Sequence, residues 1–97
     1  MTEVKRYTGR IYRIINDVDN EAYIGSTTQR LSVRMGAHRR NARNGSKRPM
    51  YVHMRKVGIE HFKIFLLQHI DNCTKEELKA LEHQYFTQVM VEKSKTQ

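Results

Sequence analysis

The sequence predicts an α+β domain with elements in the order β-β-α-α-β-α. Three observations carry that reading. Two Ile- and Tyr-rich stretches flank the turn formers Asp17-Val18-Asp19-Asn20, which is the pattern of a hairpin. Two helix-like segments follow, separated by Asn44-Gly45-Ser46. A third apolar run, His61 to Ile70, then precedes a segment with helical periodicity.

The first strand covers Tyr7 to Asn16, where alternation is imperfect but β-branched and aromatic residues dominate. Glu21 to Ser26 reads as the returning strand. A four-residue loop then pairs Asn16 with Glu21, Ile14 with Tyr23 and Tyr12 with Gly25. Directly opposed residues share a face, so Tyr12, Ile14, Tyr23 and Gly25 line one side of the sheet. A loop one residue longer or shorter would put the tyrosines on opposite faces.

Ser26-Thr27-Thr28 offers helix N-caps, and helix is expected from there to about Arg43. Leu31, Met35 and Ala42 form its apolar stripe, while Arg30, Arg34 and His38 lie on a neighbouring ridge. Pro49 suits the first turn of a short second helix, and Gly58 suits its C-terminal cap. In the third strand Phe62, Ile64 and Leu66 point one way and Phe65 and Leu67 the other, which calls for helices on both sides of the sheet. Thr74 and Glu77 form a capping box for the last helix, whose stripe is Leu78, Leu81, Tyr85 and Val89.

Ninety-seven residues make a single domain with one modest core, about 7–91, and a polar tail, 92–97. The net charge of +8 favours a polyanionic partner. Between Ala22 and Ile59 there is no acidic residue, yet the stretch holds Arg30, Arg34, Arg39, Arg40, Arg43, Lys47, Arg48, Arg55 and Lys56. A solvated face usually mixes signs, so this one points to nucleic-acid phosphates, with Arg30, Arg39, Arg40, Arg43, Lys47 and Arg48 as the contacts. The lone cysteine, Cys73, excludes an internal disulfide and fits a reducing, intracellular compartment, cytoplasm or nucleus. No apolar run is long enough for a signal peptide or membrane span. The histidines and Cys73 lack zinc-ligand spacing.

Glu82 falls between Leu81 and Tyr85 on the half-buried side of the last helix. A carboxylate there either meets an arginine or a metal ion, or turns to the stripe's edge to pair with a surface lysine. One carboxylate suits Mg²⁺, which keeps several waters and takes further ligands from substrate phosphate. Arg34 can stabilise transition-state charge or simply hold a phosphate. His38 can orient a group, relay a proton or serve the packing. The tyrosines read either as packing with one hydrogen bond each or as reactive phenols. A phenol has a pKa near 10 and needs neighbouring cations to act as a base. Gly25 lets backbone or substrate approach Tyr12 closely.

Together these residues resemble the signature of the GIY-YIG nuclease family. The resemblance is carried by Arg10-Ile11-Tyr12, then Tyr23-Ile24-Gly25-Ser26, Arg34, His38, Glu82 and the pair Tyr85-Phe86. Tyr51 and the segment from Gly58 to Phe62 also look familial. The likeness spans about Gly9 to Phe86. It implies a small three-stranded antiparallel sheet flanked by helices, and Mg²⁺-dependent (or Mn²⁺-dependent) hydrolysis of DNA leaving 5′-phosphate and 3′-hydroxyl ends. In that reading Tyr12 is the general base or positions the attacking water, and Tyr23 supports the nucleophile or the phosphate. Arg34 stabilises the transition state, His38 assists proton transfer or holds Tyr12, Glu82 binds the metal, and Gly25 and Tyr51 support. The sequence departs from the family at Arg10, where glycine is usual, and lacks a counterpart of a common asparagine after the last helix. The alternative is an inactive basic module of the same fold that binds nucleic acid; a structural protein of ribonucleoprotein particles, preferring RNA, is a third option. A homodimer, a separate specificity domain or subunit, and a viral or mobile-element origin are compatible with so small a core.

Overall fold

In the computed structural model, which describes residues 4–95 and side chains as far as Val89, the chain forms one sheet between two helical layers. Strand β1 (Tyr7–Asn16) is central, with β2 (Tyr23–Thr27) on one side and β3 (Phe62–Cys73) on the other, both antiparallel to it. Helices α1 (Leu31–Arg43) and α2 (Pro49–Val57) follow β2, a single 3₁₀ turn (Ile59–His61) leads into β3, and α3 (Lys75–Lys95) closes the chain. The predicted order and the flanked antiparallel sheet are therefore present. The last helix continues four residues into the expected polar tail, and residues 96–97 lie outside the described residues.

The hairpin has the expected register, Tyr12 opposite Gly25 and Ile14 opposite Tyr23. The returning strand starts at Tyr23 rather than Glu21. Side chains explain the delay. Asn16 Oδ1 accepts from the backbone N–H of Val18 and of Asp19, both at 2.8 Å, and Asp19 Oδ1 accepts from Glu21 N–H at 2.9 Å. These local bonds hold the loop closed in place of further ladder pairs.

Ser26, Thr27 and Thr28 do not cap α1. Thr27 is the buried last residue of β2, paired with Arg10, and its Oγ1 accepts from Gln29 N–H to make a turn. The helix starts at Leu31 with Arg30 as an extended N-cap that makes no side-chain cap. Arg30 therefore stands outside the helical ridge on which the sequence placed it, though its carbonyl accepts from Arg34 N–H at 3.0 Å. His38 likewise moves, from a ridge beside the stripe to the buried face with Met35 and Ala42. Pro49 opens α2 as expected. Gly58 ends it at φ 118°, a region that disfavours side chains, and its N–H bonds Met54 O.

Two apolar clusters hold the layers together. Tyr12, Ile14, Met35, Ala42, Tyr51, Met54 and Phe62 pack between the sheet and α1–α2, with Tyr23 and Ile64 at the margin. Ile11, Cys73 and Leu78 pack on the opposite face, with Ile24, Leu67, Ile70, Leu81 and Tyr85 of the predicted stripe. Each fully buried side chain of this size contributes roughly 1.5–3 kcal/mol. Full cover of both faces fails on β3, where Phe65 and Leu66 are 44% and 50% exposed. β3 is an edge strand, and Ile11 opposite Gln68 followed by Tyr12 opposite Leu66 leaves Leu67 as a bulge that bends it. The capping box forms as predicted: Thr74 Oγ1 accepts from Glu77 N–H, and Glu77 Oε1 accepts from Thr74 N–H.

Candidate active site

The hairpin register brings Tyr12 beside Gly25 so closely that a Cβ on Gly25 would lie 2.5 Å from the phenol oxygen. The Tyr12 ring thus crosses the floor of β2 where only glycine leaves room. Its hydroxyl is 2.9 Å from His38 Nε2 and receives a 3.4 Å contact from Arg34 Nε. His38 Nδ1 is 2.8 Å from the Tyr51 hydroxyl, which also accepts from Asn41 Nδ2 at 3.2 Å. Helix α1 supplies Arg34, His38 and Asn41 from one side, and α2 supplies Tyr51. The buried network is satisfied throughout: among the described residues, no buried side-chain polar atom lacks a partner.

Burial sets the protonation of this network. It lowers the His38 pKa to about 4, with the Arg34 charge acting in the same direction, so the ring is neutral at pH 7. A neutral imidazole carries one N–H, so His38 accepts from one of its two phenols and donates to the other. Burial also raises the Tyr12 phenol above its usual value; the hydrogen bond and charge of Arg34 pull the other way, and the Glu82 carboxylate pushes up. The expected depression by cations is thus real in direction but outweighed among the protein's own groups.

Glu82 approaches from the other face of the sheet. α3 carries it to β2, where Ser26 Oγ donates to its Oε1 at 2.5 Å. Its side chain is 26% exposed, and Lys79 Nζ lies 3.5 Å from the same oxygen. The charged partner of Glu82 is thus a surface lysine, the second of the two sequence readings, with a serine hydroxyl as a further donor. Next to it, Ser26, Thr28, Arg34, Lys75 and Lys79 help line a groove of about 320 Å³ between the β2–α1 loop and α3.

Tyr23 stands apart from the Tyr12 network. Its hydroxyl is 2.9 Å from His53 Nδ1, and His53 Nε2 is 2.7 Å from Asp19 Oδ2. Neither Asp19 nor His53 was singled out as functional in the sequence.

A match to the model of the GIY-YIG catalytic domain covers residues 8–93. The chain belongs to the GIY-YIG family. That family is one of nucleases. The chain is also similar to two proteins of Invertebrate iridescent virus 6. It is 40% identical to protein 019R over 77 residues, 79% of this chain and 28% of that protein. It is 34% identical over 77 residues to protein 146R, which carries an MSV199 domain in its name, again 79% of this chain and 31% of that protein. The chain thus spans about three tenths of the length of these curated relatives. No solved structure matches it.

Within this GIY-YIG domain the family's usual first glycine is Arg10, and the structure shows where its side chain goes. The guanidinium donates to Gln29 O at 3.2 Å, at the foot of α1. The basic stretch divides into two groups. Arg39 donates to Phe62 O at 3.5 Å, and Arg55 donates to Ala42 O and Ser46 O at 2.8 and 2.7 Å. Arg40, Arg43, Lys47 and Arg48 are exposed and make no side-chain hydrogen bond among the described residues. Arg39, Arg43 and Arg55 share a second groove of about 590 Å³ with Glu60.

Glu82 offers a hard carboxylate donor with the Ser26 hydroxyl beside it, and a divalent cation there would take the place of the Lys79 ammonium on the same oxygen. Among the described residues, no group of three or more His, Cys, Asp or Glu is arranged to hold a metal. A cation at Glu82 would draw its other ligands from water and phosphate, which suits Mg²⁺. No described helix is long and apolar enough to cross a membrane.

Proposed function

We propose that this domain hydrolyses DNA phosphodiester bonds, with Glu82 holding Mg²⁺ (or Mn²⁺), and Tyr12, Tyr23, Arg34 and His38 around the scissile phosphate. The observation that carries the reading is the convergence on Tyr12. Its hydroxyl meets His38 and Arg34, and Glu82 is close enough to raise its pKa. These groups come from β1, α1 and α3, and packing alone does not call for such a mixture of charges at one phenol.

Arg34 presents fixed positive charge where negative charge grows as water adds to phosphorus. Tyr12, pinned by His38, Arg34 and Gly25, has one orientation in which to hold the attacking water. His38 and Tyr51 keep that orientation through an uninterrupted hydrogen-bond chain. When bound at Glu82, Mg²⁺ would supply charge to the scissile phosphate and the leaving oxygen. Arg30, Arg40, Arg43, Lys47 and Arg48 would track the backbone of the duplex, with Arg39 partly engaged in the fold. Products carrying 5′-phosphate and 3′-hydroxyl ends are expected. Target choice would come from a separate domain, a partner subunit or a second copy, in keeping with the greater length of the viral relatives.

One observation favours the inactive basic module instead: Lys79 sits on the Glu82 oxygen that would face a metal. That pair is exposed on the lysine side and weak by the usual scale, well under about 1 kcal/mol, so a divalent ion would displace it. The deciding experiment incubates supercoiled plasmid and a branched oligonucleotide with parent and Glu82→Ala protein, in Mg²⁺ or EDTA. Nicking that needs Mg²⁺ and vanishes in the variant supports the nuclease. Tight binding without cutting of either substrate supports the binding module.

A further inference from the structure

We propose that Asp19 and His53 are positioning residues for Tyr23, forming a relay that orients its phenol and takes its proton as the attacking water is deprotonated. This rests on the nuclease reading above.

The relay joins three parts of the chain that the sequence separates. Asp19 lies in the β1–β2 loop, Tyr23 opens β2, and His53 is in the middle of α2. The carboxylate is built in on both oxygens. Oδ1 accepts from Asn16 Nδ2 and from Glu21 N–H, both at 2.9 Å, while Oδ2 faces His53 Nε2 at 2.7 Å. The His53 ring is held by the edge of Phe62, 5.3 Å between centroids at 88°. Its side chain is 16% exposed.

A carboxylate only accepts, so the His53 nitrogen that faces Asp19, Nε2, carries a proton, and in the neutral form of the ring it is the only one. Nδ1 is then bare, and the Tyr23 hydroxyl must donate to it across 2.9 Å. This direction leaves the phenol's lone pairs free to receive a proton. His38 differs on this point. Both its nitrogens face phenols, which can donate or accept, so nothing with a fixed sense sets its tautomer. A group that merely tied the loop to α2 would not need the loop's carboxylate, the imidazole and a candidate catalytic phenol in one line.

Burial, and then the charges of Glu21 and Asp19, raise the Tyr23 phenol above its usual value, so it does not ionise on its own at neutral pH. A neighbouring base removes that obstacle. Water attacks phosphorus and loses a proton to the Tyr23 oxygen, while the original phenolic proton passes to His53 Nδ1. The P–O bond to the leaving oxygen breaks, and that oxygen takes a proton from solvent. The imidazolium, paired with Asp19, returns its proton to solvent. One water is consumed and one P–O bond is cleaved, with no redox change. The titratable groups brought to this ring are Tyr23 and Asp19, with Glu21 acting on Tyr23.

The test has two arms. The first records the imidazole nitrogens of the intact protein by two-bond ¹H–¹⁵N NMR, with His53→Asn assigning the signal. A proton on Nε2 and a bare Nδ1 are expected in the neutral ring; the reverse tautomer overturns the relay. The second measures Mg²⁺-dependent nicking against pH for parent and His53→Asn. Asparagine retains an acceptor for Tyr23 but cannot take its proton. The expected loss is about 10²- to 10⁴-fold, together with disappearance of the acid limb of the parent's rate profile. Unchanged rate and an unchanged acid limb overturn the proposal. If His53→Asn does not fold, Asp19→Asn takes its place, with a slower rate and an acid limb moved to lower pH expected, and an unmoved limb overturning the relay. A parent that cuts nothing under any condition overturns the nuclease reading and the relay with it, whereas a parent that cuts as well as its variant overturns the relay alone.

Discussion

Gly25 lies directly beneath the Tyr12 ring, where an added methyl would stand 2.5 Å from both Cζ and the hydroxyl oxygen. Tyr12 is only 3% exposed and is hemmed in by His38, so it cannot swing away without breaking the network. Gly25→Ala should therefore cost about 1–3 kcal/mol in stability through overpacking. It should also slow nicking by on the order of 100-fold, because a displacement of about 1 Å at the reacting groups is enough for that. Thermal melts and nicking rates on the same sample check both effects. A variant as stable and as active as the parent would show that the ring has room to move.

How far this relationship could be read from the chain depends on the element. Tyr12 opposite Gly25 follows from a four-residue turn and period-2 geometry, both local, and the capping box at Thr74 and Glu77 is local too. The start of α1 misleads because Thr27 belongs to β2, and its hydroxyl serves a turn instead of a helix. His38 looks like part of a basic ridge because it shares that spacing with Arg34. Its burial depends on Tyr12 and Tyr51 reaching it from other elements. His53 carries no local signal, and Asp19 carries only that of a turn former. They are 34 residues apart and meet only because α2 packs over the hairpin loop.

The Glu82 pair with Ser26 should separate metal binding from support. Glu82→Ala is expected to reduce nicking by about three orders of magnitude, equivalent to the several kcal/mol of charge stabilisation a metal supplies. DNA affinity should hold or rise, since a negative charge is removed from a basic surface. Ser26→Ala removes the 2.5 Å bond that orients the carboxylate and should cost about 10- to 100-fold in activity, in part restored by raising Mg²⁺. Nicking rates over a Mg²⁺ titration, beside gel-shift affinities in EDTA, give the comparison. Equal Mg²⁺ dependence in Ser26→Ala and parent would remove Ser26 from the metal's surroundings.

Acid should weaken the fold through His38 before it does so through the carboxylates. The folded-state pKa of about 4 lies below the ordinary value of 6.5, so the unfolded chain binds more protons between those limits. Stability is then complete above about pH 6.5 and falls as pH drops toward 4, by up to about 3 kcal/mol on linkage arithmetic. Asp19, held at about 2 by Asn16, His53 and the Glu21 amide, contributes its own loss only below about pH 4. Urea midpoints of parent and His38→Gln at pH 7 and pH 4.5 separate the two. The variant should start lower and lose less on acidification; an equal loss in both proteins would place the acid sensitivity elsewhere.

Arginines of one basic stretch should give opposite phenotypes. Arg55 fastens the end of α1 and the following loop through Ala42 O and Ser46 O, so its truncation removes two charge-assisted bonds. Arg55→Ala should lower stability by about 1–3 kcal/mol, since bonds to charged groups contribute about that much. Arg40 and Arg48 are exposed, and among the described residues their side chains make no such bond. The double variant Arg40→Ala/Arg48→Ala should melt like the parent yet bind DNA more weakly. If each arginine neutralises one phosphate, the slope of log affinity against log salt should shrink by about 1.8, from about 0.9 for each contact. Binding measured across a salt series reads that slope directly. An unchanged slope would place the DNA on a different face, with the groove beside Arg34, Lys75 and Lys79 as the next surface to test.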